Sequence, residues 1–197
     1  MPHSPIEITR TPGDSRAIAC RNGWPGNDAP AEAAFSISYD DEYLKVSFTT
    51  TAGTRLECRT EQGPVSSDSC VEIFIKPEGS DEYWNFEFNC AGVANASHRR
   101  TRPEPVRLTA EELATIVRRP EGDVPDGCCD TPRTWRLDVA IPWRLAGIVP
   151  AAGSRFKANV YACASKALRP YYMSFAPIAT EKPDFHRPEH FVDFILR

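Results

Sequence analysis

The sequence predicts an all-β protein, an antiparallel β-sandwich of jelly-roll type with one short helix, and three observations carry that expectation. Eighteen prolines and eleven glycines cut the 197 residues into short segments and leave little room for long helices. Apolar and polar residues alternate through run after run, the period-2 pattern of half-buried strands. Clusters of Pro, Gly, Ser and Asp separate the runs at hairpin spacing. A chain of this length can bury a full hydrophobic core as one domain over 1–197.

The elements follow in order. AFSISYDDEYLKVSFTT, Ala34 to Thr50, is two alternating runs around an Asp-Asp-Glu turn and reads as a hairpin. DSCVEIFIKPEGSDEYWNFEFN, Asp68 to Asn89, reads as a second hairpin turned by PEGSDE. TAEELATIVRR, Thr109 to Arg119, is the helix: Thr109 and Glu112 stand at capping-box spacing, and the pattern stops before Pro120. The polar PEGDVPDGCCDTPRT that follows reads as a surface loop. Arg133 to Trp143, Arg155 to Ser165 and His190 to Leu196 complete at least seven strands, enough for two packed sheets.

Composition narrows the function. There are 23 basic and 27 acidic residues, a net charge of -4, and no Lys/Arg run that would track a nucleic acid. No apolar run approaches the roughly 20 residues of a membrane span, and the first residues lack the basic start and apolar stretch of a signal peptide. As the sequence stands the expectation is a cytoplasmic protein without nucleic-acid or membrane partners; a removed signal peptide would make it secreted or periplasmic. Seven cysteines are an odd count with no zinc-type spacing, which favours free thiols over a disulfide framework.

The second hairpin carries the chemistry. Val71, Ile73 and Ile75 share one face with Trp84, Phe86 and Phe88, a core face. The opposite face carries Glu72, Phe74 and Lys76 with Asn85, Glu87 and Asn89. Hairpin register sets Glu72 opposite either Glu87 or Asn89, so the carboxyls are direct or diagonal neighbours. Such a pair serves glycoside hydrolysis, one group as nucleophile and the other as proton donor. It equally serves sugar binding, where hydroxyls donate to carboxylates and the C–H face of the ring stacks on an aromatic. A plain solvated outer face, in a structural or interaction domain, is the third reading.

Elsewhere the signals are weaker. Pro188 between His186 and His190 opposes the helix that would bring both to one metal, and His98 reads as solvated. Asp40, Asp41 and Glu42 offer oxygens to calcium but sit where a hairpin needs a turn. Asn95-Ala96-Ser97 matches a glycosylation acceptor, and vicinal Cys128 and Cys129 read as spare thiols.

Taken together, DSCVEIFIKP, EYWNFEFNCAG, WRLDVAIPW, KANVYA and SFAPIATEKPDFHRPEHF, in that order over about residues 35–197, resemble the family 9 carbohydrate-binding modules, especially the stand-alone bacterial family-9-like proteins. The resemblance implies a β-sandwich that binds a mono- or oligosaccharide non-catalytically in a shallow site, works beside carbohydrate-active enzymes, and in some members holds structural calcium. It implies a sugar-binding role for Glu72 and Asn89. Glu87 stands where the family has an arginine, and Tyr161 falls near a family glutamine. Of the two tryptophans that clamp the sugar, one corresponds to the non-aromatic Val65 and Ser66 and the other to Phe185, with Trp24 a candidate replacement. Glu72, Asn85, Glu87, Asn89, Tyr161, Phe185 and His186 are therefore the expected ligand-binding set. The haem-binding branch of the same superfamily is a last alternative, with Met173 the one internal methionine available as an axial ligand.

Overall fold

The structure, a computed structural model, describes residues 5–197. Among the described residues thirteen strands form two sheets. They are β1 (Ile6–Ile8), β2 (Arg16–Ala17), β3 (Ala31–Tyr39), β4 (Tyr43–Leu56), β5 (Cys70–Pro77), β6 (Tyr83–Asn89), β7 (Ala94–Arg99), β8 (Val106–Arg107), β9 (Val117–Glu121), β10 (Gly127–Pro142), β11 (Arg155–Ala164), β12 (Tyr171–Ser174) and β13 (Val192–Leu196). The large sheet runs β1-β13-β11-β5-β6-β7-β8, with β12 also on β11; the small sheet runs β2-β3-β4-β10-β9. Every named pair is antiparallel except β1 on β13, which is parallel.

The two sheets face each other across one apolar core, as the alternating runs require. Phe35, Phe48, Trp135 and Leu137 of the small sheet pack in the same cluster as Ile73, Phe86, Phe88, Phe156 and Phe194 of the large one. Five of the six expected hairpin core residues are fully buried. Trp84 is half-buried at the margin, where it packs on the core and stacks on His98 with ring centroids 5.3 Å apart. His98 is thus not simply solvated: its Nδ1 also lies 2.7 Å from Glu82 Oε2.

Between β3 and β4, Asp40 makes the expected turn, its Oδ1 accepting from the backbone N–H groups of Glu42 and Tyr43. Asp40 is further tied to Lys45, and Asp41 to Arg10. Both Asp40 oxygens and one of Asp41 are thus engaged, and among the described residues the trio does not converge as a set of metal-ligand atoms.

Two expectations are corrected. The capping box of Thr109 and Glu112 is present, but α1 spans only Ala110–Ala114. The β-branched Thr115, Ile116 and Val117 are poor helix formers, and β9 takes over on the rim of the small sheet, where Pro120 leaves no internal ladder position unpaired. The loop expected over 120–134 is in part strand: Cys128 and Cys129 already pair with Arg55 and Thr54, and the register shifts between Cys129 and Arg133 at a bulge. None of the seven cysteines is in a disulfide, and among the described residues no helix is long and apolar enough to cross a membrane.

Two outcomes follow from this packing. Phe86→Ala removes a fully buried ring from the shared core and should lower unfolding stability by about 3–5 kcal/mol in a urea melt with unchanged slope. Thiol titration of denatured, unreduced protein should find most cysteines reactive; a single reactive thiol would contradict the free-thiol arrangement.

Candidate functional site

The hairpin register resolves the choice left by the sequence. Val71 stands opposite Phe88 and Ile73 opposite Phe86 on the core side, so Glu72 stands directly opposite Glu87 on the other. That other face is not open to water. A second apolar cluster covers it, built from Phe74, Tyr83 and Tyr161 of the sheet, Val65 of a short 3-10 turn, Trp24, and Ile178, Phe185 and Phe191 of the segment 175–191.

Segment 175–191 is a strap across the sheet, fixed by neutral amide side chains. Asn159 of β11 accepts from the Ala176 N–H and donates to the Ala176 carbonyl. Asn22 accepts from the Ile178 N–H at 2.8 Å, and Trp24 donates its indole N–H to the Thr180 carbonyl at 2.9 Å. Phe185 is pressed flat on Tyr161, centroids 4.2 Å apart and planes within 11°, while the Tyr161 hydroxyl donates to the Phe185 carbonyl.

The strap leaves one opening above the acidic pair. A pocket of about 350 Å³ lies there, with Glu72 and Glu87 on its floor and Phe185 and His186 in its wall. The same pocket is lined by Ser66, where the resemblance sets a clamping tryptophan, and by Arg102, Cys163, Ser165, Tyr172 and Asp184, which the sequence reading did not single out. Cys163 had a signal in the alternation of β11, which puts it on the same face as Tyr161. Arg102, Tyr172 and Asp184 arrive from separate segments and had none.

Three expected residues stand behind the pocket rather than in its lining. Asn85 is fully buried; it donates to Glu87 at 2.9 Å and accepts from Ser97 at 2.8 Å and Arg99 at 2.9 Å. Asn89 builds the β6–β7 turn: its Oδ1 accepts from the Ala91 and Val93 N–H groups, and Gly92 supplies the positive φ that the turn needs. The Asn89 amide also donates to Asp68 and to the Cys58 carbonyl. Tyr161 lies beneath Phe185. Trp24 is buried against Phe185 and Tyr172, and Met173 is buried in the main core. The glycosylation-type Asn95 donates its side-chain amide to Glu87 at 2.9 Å.

The two carboxyls differ in their surroundings. Glu87, 7 % exposed, accepts from Asn85 and Asn95; burial raises its pKa, and those two amides and the Arg99 guanidinium oppose the rise. Glu72, 2 % exposed, has only thiols as hydrogen-bond partners among the described residues: Cys163 Sγ at 3.3 Å and Cys70 Sγ at 3.8 Å from its Oε1. Burial first, then the acidic neighbours Cys163 and Glu87, push Glu72 well above the usual carboxylate range. At the mouth Asp184 pairs with Arg102 at 3.4 Å and Arg187 at 2.8 Å. His186 Nδ1 lies 2.9 Å from the Tyr83 hydroxyl, and burial, with the Arg99 and Arg102 charges, lowers the ring's pKa to about 3. The floor is therefore a pair of buried carboxyls, both biased by burial toward the protonated form and Glu72 the more strongly, and the walls are aromatic.

The sequence profile of carbohydrate-binding family 9 matches residues 14–196. In structure the chain is similar to a candidate carbohydrate-binding protein from Bacteroides uniformis ATCC 8492, with TM-score 0.87 and 24% identity over 98% of this chain and 100% of that one. It is also similar to a family 9 carbohydrate-binding module from Caldicellulosiruptor kristjanssonii in complex with glucose, with TM-score 0.62 and 10% identity over 98% and 96% of the two chains. A module from the same organism in complex with cellotriose aligns with TM-score 0.57 and 12% identity over 98% and 94%. No curated protein matches the sequence significantly.

The neutral His186 gives the fold a pH dependence of definite sign. The unfolded chain protonates this ring below about pH 6.5 while the folded chain refuses the proton until about pH 3, so the contribution of His186 is present above 6.5 and lost as pH falls between those values. Glu72 and Glu87 act oppositely, because the folded chain keeps protons that the unfolded chain releases above about pH 4.3. Because the acids oppose the histidine, the difference carries the sign: from pH 7 to pH 5 the melting temperature of the native protein should drop relative to that of His186→Gln.

Proposed function

The chain belongs to carbohydrate-binding family 9, and on that premise we propose that it is a non-catalytic sugar-binding domain over 1–197 whose pocket above Glu72 and Glu87 takes a mono- or oligosaccharide. The observation that carries the proposal is the buried acidic pair on the floor of an aromatic-walled pocket. Glu72 lacks any N–H or O–H donor of the protein among the described residues, and a sugar hydroxyl is the donor that it lacks. Glu87 and Arg102 offer further partners, while Tyr172 and the edge of Phe185 give the C–H face of a pyranose an apolar surface.

The volume, near the small end of the roughly 300–1,000 Å³ typical of ligand pockets, suits one sugar unit or a chain end rather than a polymer lying flat. Within this reading Glu72, Glu87, Phe185 and His186 meet the ligand, and Asn85, Asn89 and Tyr161 hold them in place. Glycoside hydrolysis fits the pair less well. A retaining enzyme needs one ionised nucleophile across the bond from its acid. Here the two carboxyls stand side by side on adjacent strands, and burial favours the neutral form of both. Glucose and cellotriose, bound by the two modules of similar fold, are the first ligands to test, and an association with carbohydrate-active enzymes belongs to the same proposal.

A glycan array followed by calorimetry is the test. Glu72→Ala should weaken the ligand found by about two- to tenfold, the loss of a hydrogen bond to a protonated carboxyl of about 0.5–1.5 kcal/mol. Its melting temperature should hold or rise, because an acid buried without a counter-ion is removed. Phe185→Ala should instead destabilise the fold by about 3–5 kcal/mol as well as weaken binding, because the ring is only 8 % exposed. A folded protein that binds no glycan, or one whose affinity ignores Glu72→Ala, defeats the proposal. Release of reducing sugar from the array glycans would replace it with hydrolysis.

A further inference from the structure

Cys70, Glu72 and Cys163 converge beside the pocket in a way that sugar binding does not use. Cys70 and Glu72 are two residues apart on β5 and share its strap-side face, and Cys163 of β11 is the direct cross-strand partner of Cys70. Their sulfur and carboxylate donor atoms all lie within 4.8 Å of one another, and among the described residues no other group of three or more His, Cys, Asp and Glu side chains comes together this way. We propose that these three side chains form a binding site for a thiophilic divalent cation of the zinc class, with the fourth coordination position open to the pocket.

The spacing fits a tetrahedron. Zn–S bonds of about 2.3 Å and a Zn–O bond of about 2.0–2.2 Å set a sulfur-to-oxygen separation of about 3.5 Å. The separations from Glu72 Oε1, 3.3 Å to Cys163 and 3.8 Å to Cys70, bracket that value without an ion to draw them in.

The electrostatics fit as well. All three residues are almost fully buried, and Glu72 has no cationic partner, although buried polar groups ordinarily find one or a strong donor. A divalent cation supplies that missing positive charge, and both thiols and the Glu72 carboxyl give up their protons to the solvent as they bind it. Two thiolates with one carboxylate select zinc, cobalt or cadmium over the hard cations calcium and magnesium. Cys70 closes the back of the group, while Glu72 and Cys163 line the pocket. The ion therefore has a route in, and three protein ligands leave one exchangeable position for water or an oxygen of a pocket ligand.

The test uses the full chain, reduced and stripped with a chelator, because a disulfide between Cys70 and Cys163 would remove both sulfur ligands. Cobalt(II) titration should give one equivalent with tetrahedral d–d absorption and a thiolate-to-cobalt charge-transfer band, both displaced by zinc. Cys70→Ser and Cys163→Ser, checked as folded by circular dichroism, should each weaken the ion at least tenfold and dim the charge-transfer band. Cys20→Ser should change neither. Zinc should raise the melting temperature of the native protein and raise that of Glu72→Gln less, a readout that stands even if a cysteine variant fails to fold. Cobalt binding without charge transfer, or a band that survives both cysteine substitutions, overturns the inference. Glycan calorimetry with and without zinc keeps it separate from the sugar reading: either ligand can bind while the other fails.

Discussion

Because Val71 faces Phe88 and Ile73 faces Phe86 inside the sandwich, Glu72 can stand nowhere but opposite Glu87 on the far side of the same two strands. A strand has period 2, so a slip of β6 by one residue would send Glu87 into the apolar core and bring Phe86 and Phe88 out. The core and the pocket floor are thus one constraint seen from two sides. Nothing local to the acidic pair holds its register; the packing on the opposite face does.

An acidic pair fixed in that way has to be covered at a cost, and the cover explains the rest of the architecture. Aromatic rings from β5, β6, β11 and the strap supply the apolar burial that offsets taking two acids out of water. The chain Arg99–Asn85–Glu87–Asn95 then satisfies one member of the pair with amides and a guanidinium. The other member is left facing two thiols and the pocket. This asymmetry between two identical side chains is what makes the floor chemically interesting, since one acid reaches the pocket already tied to amides while the other reaches it with only thiols beside it.

Much of this was legible from residue order. Alternation identified both hairpins and the core faces, and the motifs strung along the chain pointed to the family whose profile matches it. What alternation could not reveal was whether the second face of a strand meets water or another layer. Phe185 and Ile178 sit in a proline-rich, irregular segment with no period, so their burial had no pattern to announce it. Asn89 is expected at the ligand from the family resemblance and from its place on the polar face, yet an asparagine beside a glycine turn is equally suited to bonding its own backbone, and here it does so. The helix was overextended for a related reason: apolar residues at Leu113 and Ile116 suit helical spacing, but edge pairing with β10 outweighs the weak propensity of Thr115 to Val117.

The strap is tied down by Asn22, Trp24 and Asn159, none of which carries a charge, whereas the mouth of the pocket is held by Asp184 between Arg102 and Arg187. Ionic strength therefore acts on the two parts separately. Counter-ions screen the exposed arginines at the rim within a Debye length of about 8 Å at physiological salt, while amide and indole tethers under the strap do not respond. A brine would loosen the gateposts and leave the roof where it is, so the pocket should keep its shape across salinities even as the entry of charged compounds changes.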